Sequence, residues 1–264
     1  MEHLREIYEY RQMIYSLVKR DLRGRYKGSV LGFLWTFVNP LLQLCVYTMV
    51  FSLIMQTNID QYYIFLFVAL VPWIFFSSSL VGGSNCIHAS GDMVKKIYFP
   101  REVLPIAFVT SSFMNMLFSF VVVFAVLIVT GFGVNVEALL YLPIIMLVEY
   151  FLALGLTLIA SALTVYFRDL EHILSIVVMA WQFLTPVMYS KEMVEAGFKD
   201  YPLLQQVWNM NPMYPIISCY RDILYYQKIP ELETLGMASL TGVCGCLIGY
   251  IVFGKLQRRF AEEL

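Results

Sequence analysis

The chain has 264 residues, of which 59% are hydrophobic and 14% charged, and its net charge is −1. A soluble domain of this length could not bury so much apolar surface in one core, and so few charges could not coat it. Composition therefore excludes a soluble enzyme or binding module and predicts an all-α, polytopic membrane protein.

Six apolar stretches, approximately 29–55, 62–82, 104–131, 138–167, 172–189 and 234–254, are long enough or nearly so to cross a hydrocarbon core, which takes about 20 helical residues. An even number of spans places both termini on one side. With the termini in the cytoplasm, fourteen of the eighteen Lys and Arg residues lie inside; Lys191, Lys199, Arg221 and Lys228 lie outside. Short basic loops stay cytoplasmic, so this orientation is expected. The first stretch is too long for a signal-peptide core and lacks an Ala-x-Ala exit, so it is expected to be a span. The five cysteines are scattered and suggest no disulfide framework or metal set.

The whole chain, 1–264, reads as one membrane domain. Within its leading segment, 1–27, Leu4, Ile7, Tyr8, Ile14, Tyr15, Val18 and Leu22 recur at helical spacing. An amphipathic helix lying in the headgroups fits this pattern, as does one packed on a partner protein. A basic cluster follows, with Arg23, Arg25 and Lys27 at its end. It serves as a positive-inside anchor or as a receptor for an anionic headgroup, since Arg grips phosphate bidentately. Pro40, preceded by Asn39, is expected to kink the first span.

Segment 83–103 is too polar to span and too hydrophobic for an idle loop. One or two short amphipathic helices stopped by Pro100 are expected, suited to docking a soluble subunit. The shorter connection 168–172 brings Arg168 and Asp169 together in a salt-bridged turn or a second contact for that partner. His172 has no ligand spacing to His3 or His88, which argues against a metal. Segment 190–233 is too aromatic for a free loop and too broken for a span. Short helices dipping into the outer leaflet or capping a pore fit it, as does an aromatic belt.

Gly249 to Lys255 matches most of a phosphate-loop pattern, but Leu256 stands where Ser or Thr is required, and the match ends a span. The chain is therefore expected to have no ATPase of its own and to bind no cofactor. No catalytic constellation emerges either. Gly28-x-x-x-Gly32 and Gly245-x-x-x-Gly249 permit close helix packing. Glu149, about 16 Å inside span four, is either a transport group or a hydrogen-bonded structural carboxyl. Aromatic side chains pack against lipid, yet their faces also offer sugars a low-specificity surface. Phe33, Trp35, Phe37, Tyr47 and Trp181 are the expected conduit aromatics. Tyr189, Trp208 and Tyr220 are the expected outer gate.

Four groups of residues carry a resemblance. They are Arg20-Asp21-Leu22 through Arg25-Tyr26, Gly28-Ser29, Leu31-Gly32, Trp35 and Pro40; Lys96 with Phe99-Pro100-Arg101-Glu102 and Pro105; Phe167-Arg168-Asp169 leading to Pro186 and Tyr189; and Asn211-Pro212 before Tyr220-Arg221. In this order they resemble the membrane subunit of bacterial type-2 ABC exporters of polysaccharide, meaning O-antigen, capsule or teichoic acid. The resemblance implies a homodimer in the bacterial cytoplasmic membrane, driven by two copies of a separate ATPase subunit that binds the ATP. It implies coupling through 83–103 and 168–172, with Lys96, Arg101, Arg168 and Asp169 as candidate contacts, and gate helices in 190–233. The implied substrate is a polyprenyl-diphosphate-linked glycan or a polyol-phosphate polymer; no nucleic-acid partner is implied. A type-2 exporter of drugs or small lipids is the nearest alternative, and an integral-membrane acyl- or glycosyltransferase a more distant one.

Overall fold

The computed structural model describes residues 2–26, 28, 31–54, 59–199 and 201–260, and they contain helices and no strand. Helix α1 covers Glu2–Glu9 and α2 covers Arg11–Tyr26. The first span, Gly32–Ser52, opens with a 3-10 turn, continues as α3 (Trp35–Thr48) and ends in a π-helical turn. Helix α4 (Tyr62–Ser84) is the second span and α7 (Val103–Val129) the third; α5 (Cys86–Ala89) and α6 (Gly91–Lys96) lie between them. The short α8 (Val136–Leu139) leads into α9 (Leu142–Tyr166), the fourth span. Then come α10 (Leu170–Leu184), α11 (Lys191–Gly197), α12 (Pro202–Asn209), α13 (Met213–Leu224) and the last span, α14 (Leu232–Leu256).

Among the described residues, five helical stretches are long and apolar enough to cross a membrane. The sixth apolar stretch differs from expectation, because α10 stops at Leu184. The residue before a proline resists helical backbone, and Thr185 precedes Pro186.

Helix α4 is apolar all round and buried on nearly every side, so it forms the axis of the bundle. Helix α9 packs most extensively on α14, and α4 lies against both α7 and α9. Glycine makes the α9–α14 contact possible. A Cβ on Gly155 would collide with the Gly245 carbonyl, and one on Gly249 with the Gly155 carbonyl. The Gly28–Gly32 pair works differently. Both residues have positive φ, and a Cβ on either would meet nothing, so they shape a turn and not a helix contact.

Hydroxyls tie the spans together. Thr157 donates to the Ser79 carbonyl, joining α9 to α4 at 3.1 Å. Tyr166 donates to the Leu256 carbonyl at 2.7 Å, and Thr110 and Tyr150 share a bond of 2.9 Å. Without a hydrophobic drive between helices in lipid, such bonds contribute about 0.6 kcal/mol each on average. Part of the apolar stripe of α2 is covered by this chain itself. Leu17 is buried, Met13, Ile14 and Val18 pack on the core, and Ser111 of α7 donates to Asp21.

Candidate functional site

Three places collect the residues singled out by sequence. The first is a groove between α2, the start of the first span and α7. Ile14, Val18, Leu22, Phe33, Met114 and Phe118 line a volume of about 710 Å³, together with Arg11, Lys19 and Arg23. It adjoins a second volume of about 850 Å³ that adds Arg20, Gly24 and Gly32. Helical spacing is the cause: Ile14, Val18 and Leu22 lie four residues apart on one face of α2, and Lys19 and Arg23 on the next. Phe33 meets Phe118 edge-on at 5.1 Å and Phe37 at 5.4 Å, forming the inner wall. Arg20 and Arg23 are exposed and pair with no acidic side chain among the described residues. An apolar floor beside unpaired cations suits an amphiphile with an anionic head. Lys27 and the side chain of Arg25 lie outside the described residues.

The second place is the end of the bundle where Glu6 of α1 meets Tyr98 and Arg101 meets Gln257. Lys96, Arg168 and Asp169 are exposed there, and Lys96 lies 4.0 Å from Asp92. A pocket of about 270 Å³ brings together Arg20 and Asp21 of α2, Asn85 and Ser90 beside α5, and Glu171 of the second connection. The two connections and the N-terminal helix therefore meet in one surface. Arg101 turns inward instead, donating to the Gln257 carbonyl and lying 5.6 Å from the Phe260 ring. Glu102 beside it accepts from Gln257 Nε2 at 2.7 Å, so this motif clasps the end of the last span.

The third place is the break after α10, at the opposite end. Helix C-termini leave carbonyls without intrahelical donors, and hydrocarbon cannot supply any. Here the carbonyls of Trp181, Phe183 and Leu184 each find one. The Trp181 carbonyl accepts from Thr185 N at 2.9 Å, that of Phe183 from Tyr189 Oη at 2.6 Å and that of Leu184 from Asn211 Nδ2 at 3.2 Å. Beyond the helix, Arg221 donates to Val187 at 2.9 Å and to Tyr189 at 3.1 Å, while Tyr62 donates to Met188 at 2.7 Å. The Arg221 guanidinium sits 3.7 Å above the Phe65 ring, and Trp181 Nε1 donates to Asn211 Oδ1 at 2.9 Å. Asn211 and Pro212 thus lie against the end of α10, and α13 leaves from there. Its far end is held by Tyr225 donating to the Asp60 carbonyl at 2.6 Å and by Asn135 donating to the Gln227 carbonyl at 2.9 Å. Gln227 has left-handed backbone (φ 54) and donates through Nε2 to the Phe132 carbonyl at 2.6 Å, which offsets part of that cost.

The expected aromatics divide accordingly. Phe33 and Trp35 are exposed, at 45% and 41%, while Tyr47 packs partly against the core. Trp208 is buried, its ring 4.4 Å from that of Tyr214. Tyr220 and Glu149, singled out by sequence for separate reasons, meet each other. Both are wholly buried, and Tyr220 donates to Glu149 Oε2 at 2.7 Å. Tyr220 thus presents no face to a passing molecule. Sequence reasoning took Arg221 only as a cation outside and as the end of the fourth motif; its spacing to the carbonyls it serves is visible only in three dimensions.

The sequence profile of the ABC-2 type transporter family matches residues 12–225, which include most of the residues of the three places. The chain belongs to this family. Among its relatives is the O-antigen export system permease protein RfbA of Myxococcus xanthus, 35% identical over 99% of this chain and 98% of that protein. The RfbA of Klebsiella pneumoniae is 32% identical over 96% of this chain and 95% of its own length. The polysialic acid transport protein KpsM of Escherichia coli is 21% identical over 90% of this chain and 91% of its own. With its apolar helices, this member of the family is a multi-pass inner-membrane protein. The phosphate-loop match lies wholly within α14 and its C-terminal cap, where no strand-to-helix turn can cradle phosphate.

Proposed function

We propose that the chain is the permease subunit of an ATP-driven exporter that moves lipid-linked polysaccharide out of the cytoplasm. In this proposal it works as a homodimer with six spans per copy and both termini cytoplasmic, α10 completing its crossing through the segment that follows it. Two copies of a separate ATPase dock on the surface bearing Lys96, Arg168 and Asp169. The observation that carries the proposal is the groove with an apolar floor and a rim of Arg20 and Arg23, which pair with no acidic side chain among the described residues. A prenyl diphosphate has the matching chemistry, with a hydrocarbon chain for the floor and a multivalent anion for the rim. The names of the relatives supply the glycan that such a carrier bears. In this proposal Arg25 and Lys27 join Arg23 in receiving the diphosphate, Phe33, Trp35, Phe37, Tyr47 and Trp181 line or support the conduit, and Tyr189 and Trp208 belong to the outer gate.

Vesicles containing this chain with its ATPase partner provide the test, using a radiolabelled prenyl-diphosphate oligosaccharide. The double variant Arg20→Glu, Arg23→Glu is expected to lower ATP-dependent translocation by about tenfold or more, the equivalent of about 1.4 kcal/mol. The amount of assembled complex should not change. Translocation at the wild-type rate in that variant would overturn the assignment. Transport of free lipids without the glycan carrier would favour an exporter of small lipids.

A further inference from the structure

Beyond α14 the chain makes one 3-10 turn, Gln257–Arg259, and then buries Phe260 completely. Side chains from two distant segments hold this turn. From the start of the third span, Arg101 donates to the Gln257 carbonyl, and Glu102 Oε1 accepts from Gln257 Nε2 at 2.7 Å. From the end of α9, Tyr166 donates to the Leu256 carbonyl at 2.7 Å. Phe260 meets both segments: its ring centre is 5.6 Å from the Arg101 guanidinium and 6.1 Å from the centre of the Tyr166 ring.

The end of a helix leaves carbonyls without intrahelical donors. Here Tyr166 supplies the Leu256 carbonyl, and Arg101 adds a second bond to the Gln257 carbonyl, which also accepts from Phe260 N. Glu102 depends on the turn in return. It is 1% exposed, its Oε2 has no partner, and Gln257 is the one donor to its carboxyl among the described residues. Loss of that donor leaves a buried polar group unmet, which costs more than the bond contributes.

Both supports adjoin the exposed residues of the docking surface. Arg101 follows Lys96 by five residues, with Phe99 and Pro100 buried between them. Tyr166 precedes Arg168 by two residues, a tether of about 7 Å even when fully extended. Neither connection can travel far without straining the bonds to the turn. The turn continues α14, and Gly249 of α14 lies backbone to backbone against Gly155 of α9. Helices α9 and α14 are therefore joined at two levels, about 10 Å apart along α14.

We propose that the turn after α14 is the positioning element that makes both connections move as one body with α9 and α14 when the ATPase works on them; the inference rests on the function proposed above. Gln257, Glu102 and Tyr166 act through the connections and touch neither substrate nor ATPase. The test uses the permease–ATPase complex in vesicles, supplied with ATP and radiolabelled prenyl-diphosphate oligosaccharide, and reads ATP hydrolysed per glycan translocated. Gln257→Ala is expected to raise that ratio about fivefold, the effect of one lost hydrogen bond, at an unchanged amount of complex. Tyr166→Phe, which cuts the other support, should raise it as well. Gln257→Glu sets two carboxyls against each other and should uncouple further. Combined with Glu102→Gln it exchanges donor and acceptor, and the wild-type ratio should return. A clasp that only stabilises would lower hydrolysis and translocation together, in proportion to the complex. A wild-type ratio in both Gln257→Ala and Tyr166→Phe, or loss of assembled complex in both, would overturn the inference and leave the exporter standing. Absence of translocation by the wild-type complex would overturn the function and the inference together.

Discussion

Tyr220 reaches Glu149 across 71 residues of sequence, and the bond it donates is the one engagement of that carboxyl among the described residues, since Glu149 Oε1 has no partner. Removing the phenolic hydroxyl leaves the group wholly buried and unmet, at a cost of about 1–3 kcal/mol. Tyr220→Phe is therefore expected to lower the unfolding temperature in detergent, whereas Glu149→Gln, which keeps an acceptor oxygen in place, should retain most of the stability. An unchanged transition in Tyr220→Phe would show that the bond contributes nothing. A second expectation concerns Arg221. Lysine cannot reproduce the planar fork that serves two carbonyls while stacking on a ring. Arg221→Lys should expose the Val187–Tyr189 backbone to protease added from the external side, and full protection there would refute the clamp. Glu149 is conspicuous in sequence because carboxylates are rare in apolar runs. Its partner is not, because Tyr220 is one of many aromatics in 190–233, and pairing between distant segments leaves no local pattern.

Among the elements, the α9–α14 contact depends on backbone meeting backbone. Gly249→Leu is expected to force the two helices apart and abolish recovery of folded protein, because the collision is with the main chain of Gly155, which has no side chain to yield. Gly254→Leu, five residues on in the same helix, meets open space and should express normally. Equal yields of the two variants would disprove the packing. The Gly245–Gly249 spacing in sequence does point to this contact, whereas the same spacing at Gly28–Gly32 marks a turn. What separates them is helix: spacing implies a shared face only where both residues belong to one continuous helix. The end of α10 has the same lesson. Hydropathy ran through to residue 189 because apolar composition persists, but the backbone rule at Thr185-Pro186 ends the helix sooner.

For the molecule as a whole, hydropathy made the all-helical membrane fold and its five long spans legible, because lipid demands continuous apolar helices. The grouping of α2, α5 and Glu171 around one pocket was not legible, since it depends on which spans are neighbours. Orientation can be tested by cysteine labelling in a background without the native cysteines. Reagent from outside is expected to modify positions near Asp60, Glu137 and Lys199 and to miss Lys95 and Arg168; labelling at Lys95 would sink the assignment. Coupling can be tested with Lys96→Glu combined with Asp169→Arg, which should reduce ATP hydrolysis linked to transport without reducing membrane insertion. Unimpaired coupling would remove these residues from the docking surface.

Helix α10 is 15 residues long and extends about 22 Å, some 8 Å less than a typical hydrocarbon core. In the six-span proposal the remaining depth is filled by a bent stretch in which the Val187 and Tyr189 carbonyls are tied to Arg221 of α13, so the two parts of that proposed crossing need not move as one rod. Matching to the bilayer then resides in a hinge and not in helix tilt alone. Reconstituted in lipids of increasing acyl length, the protein should lose activity when the thicker core draws that bent stretch fully into hydrocarbon, and it should tolerate thinner bilayers better than an unbroken span would.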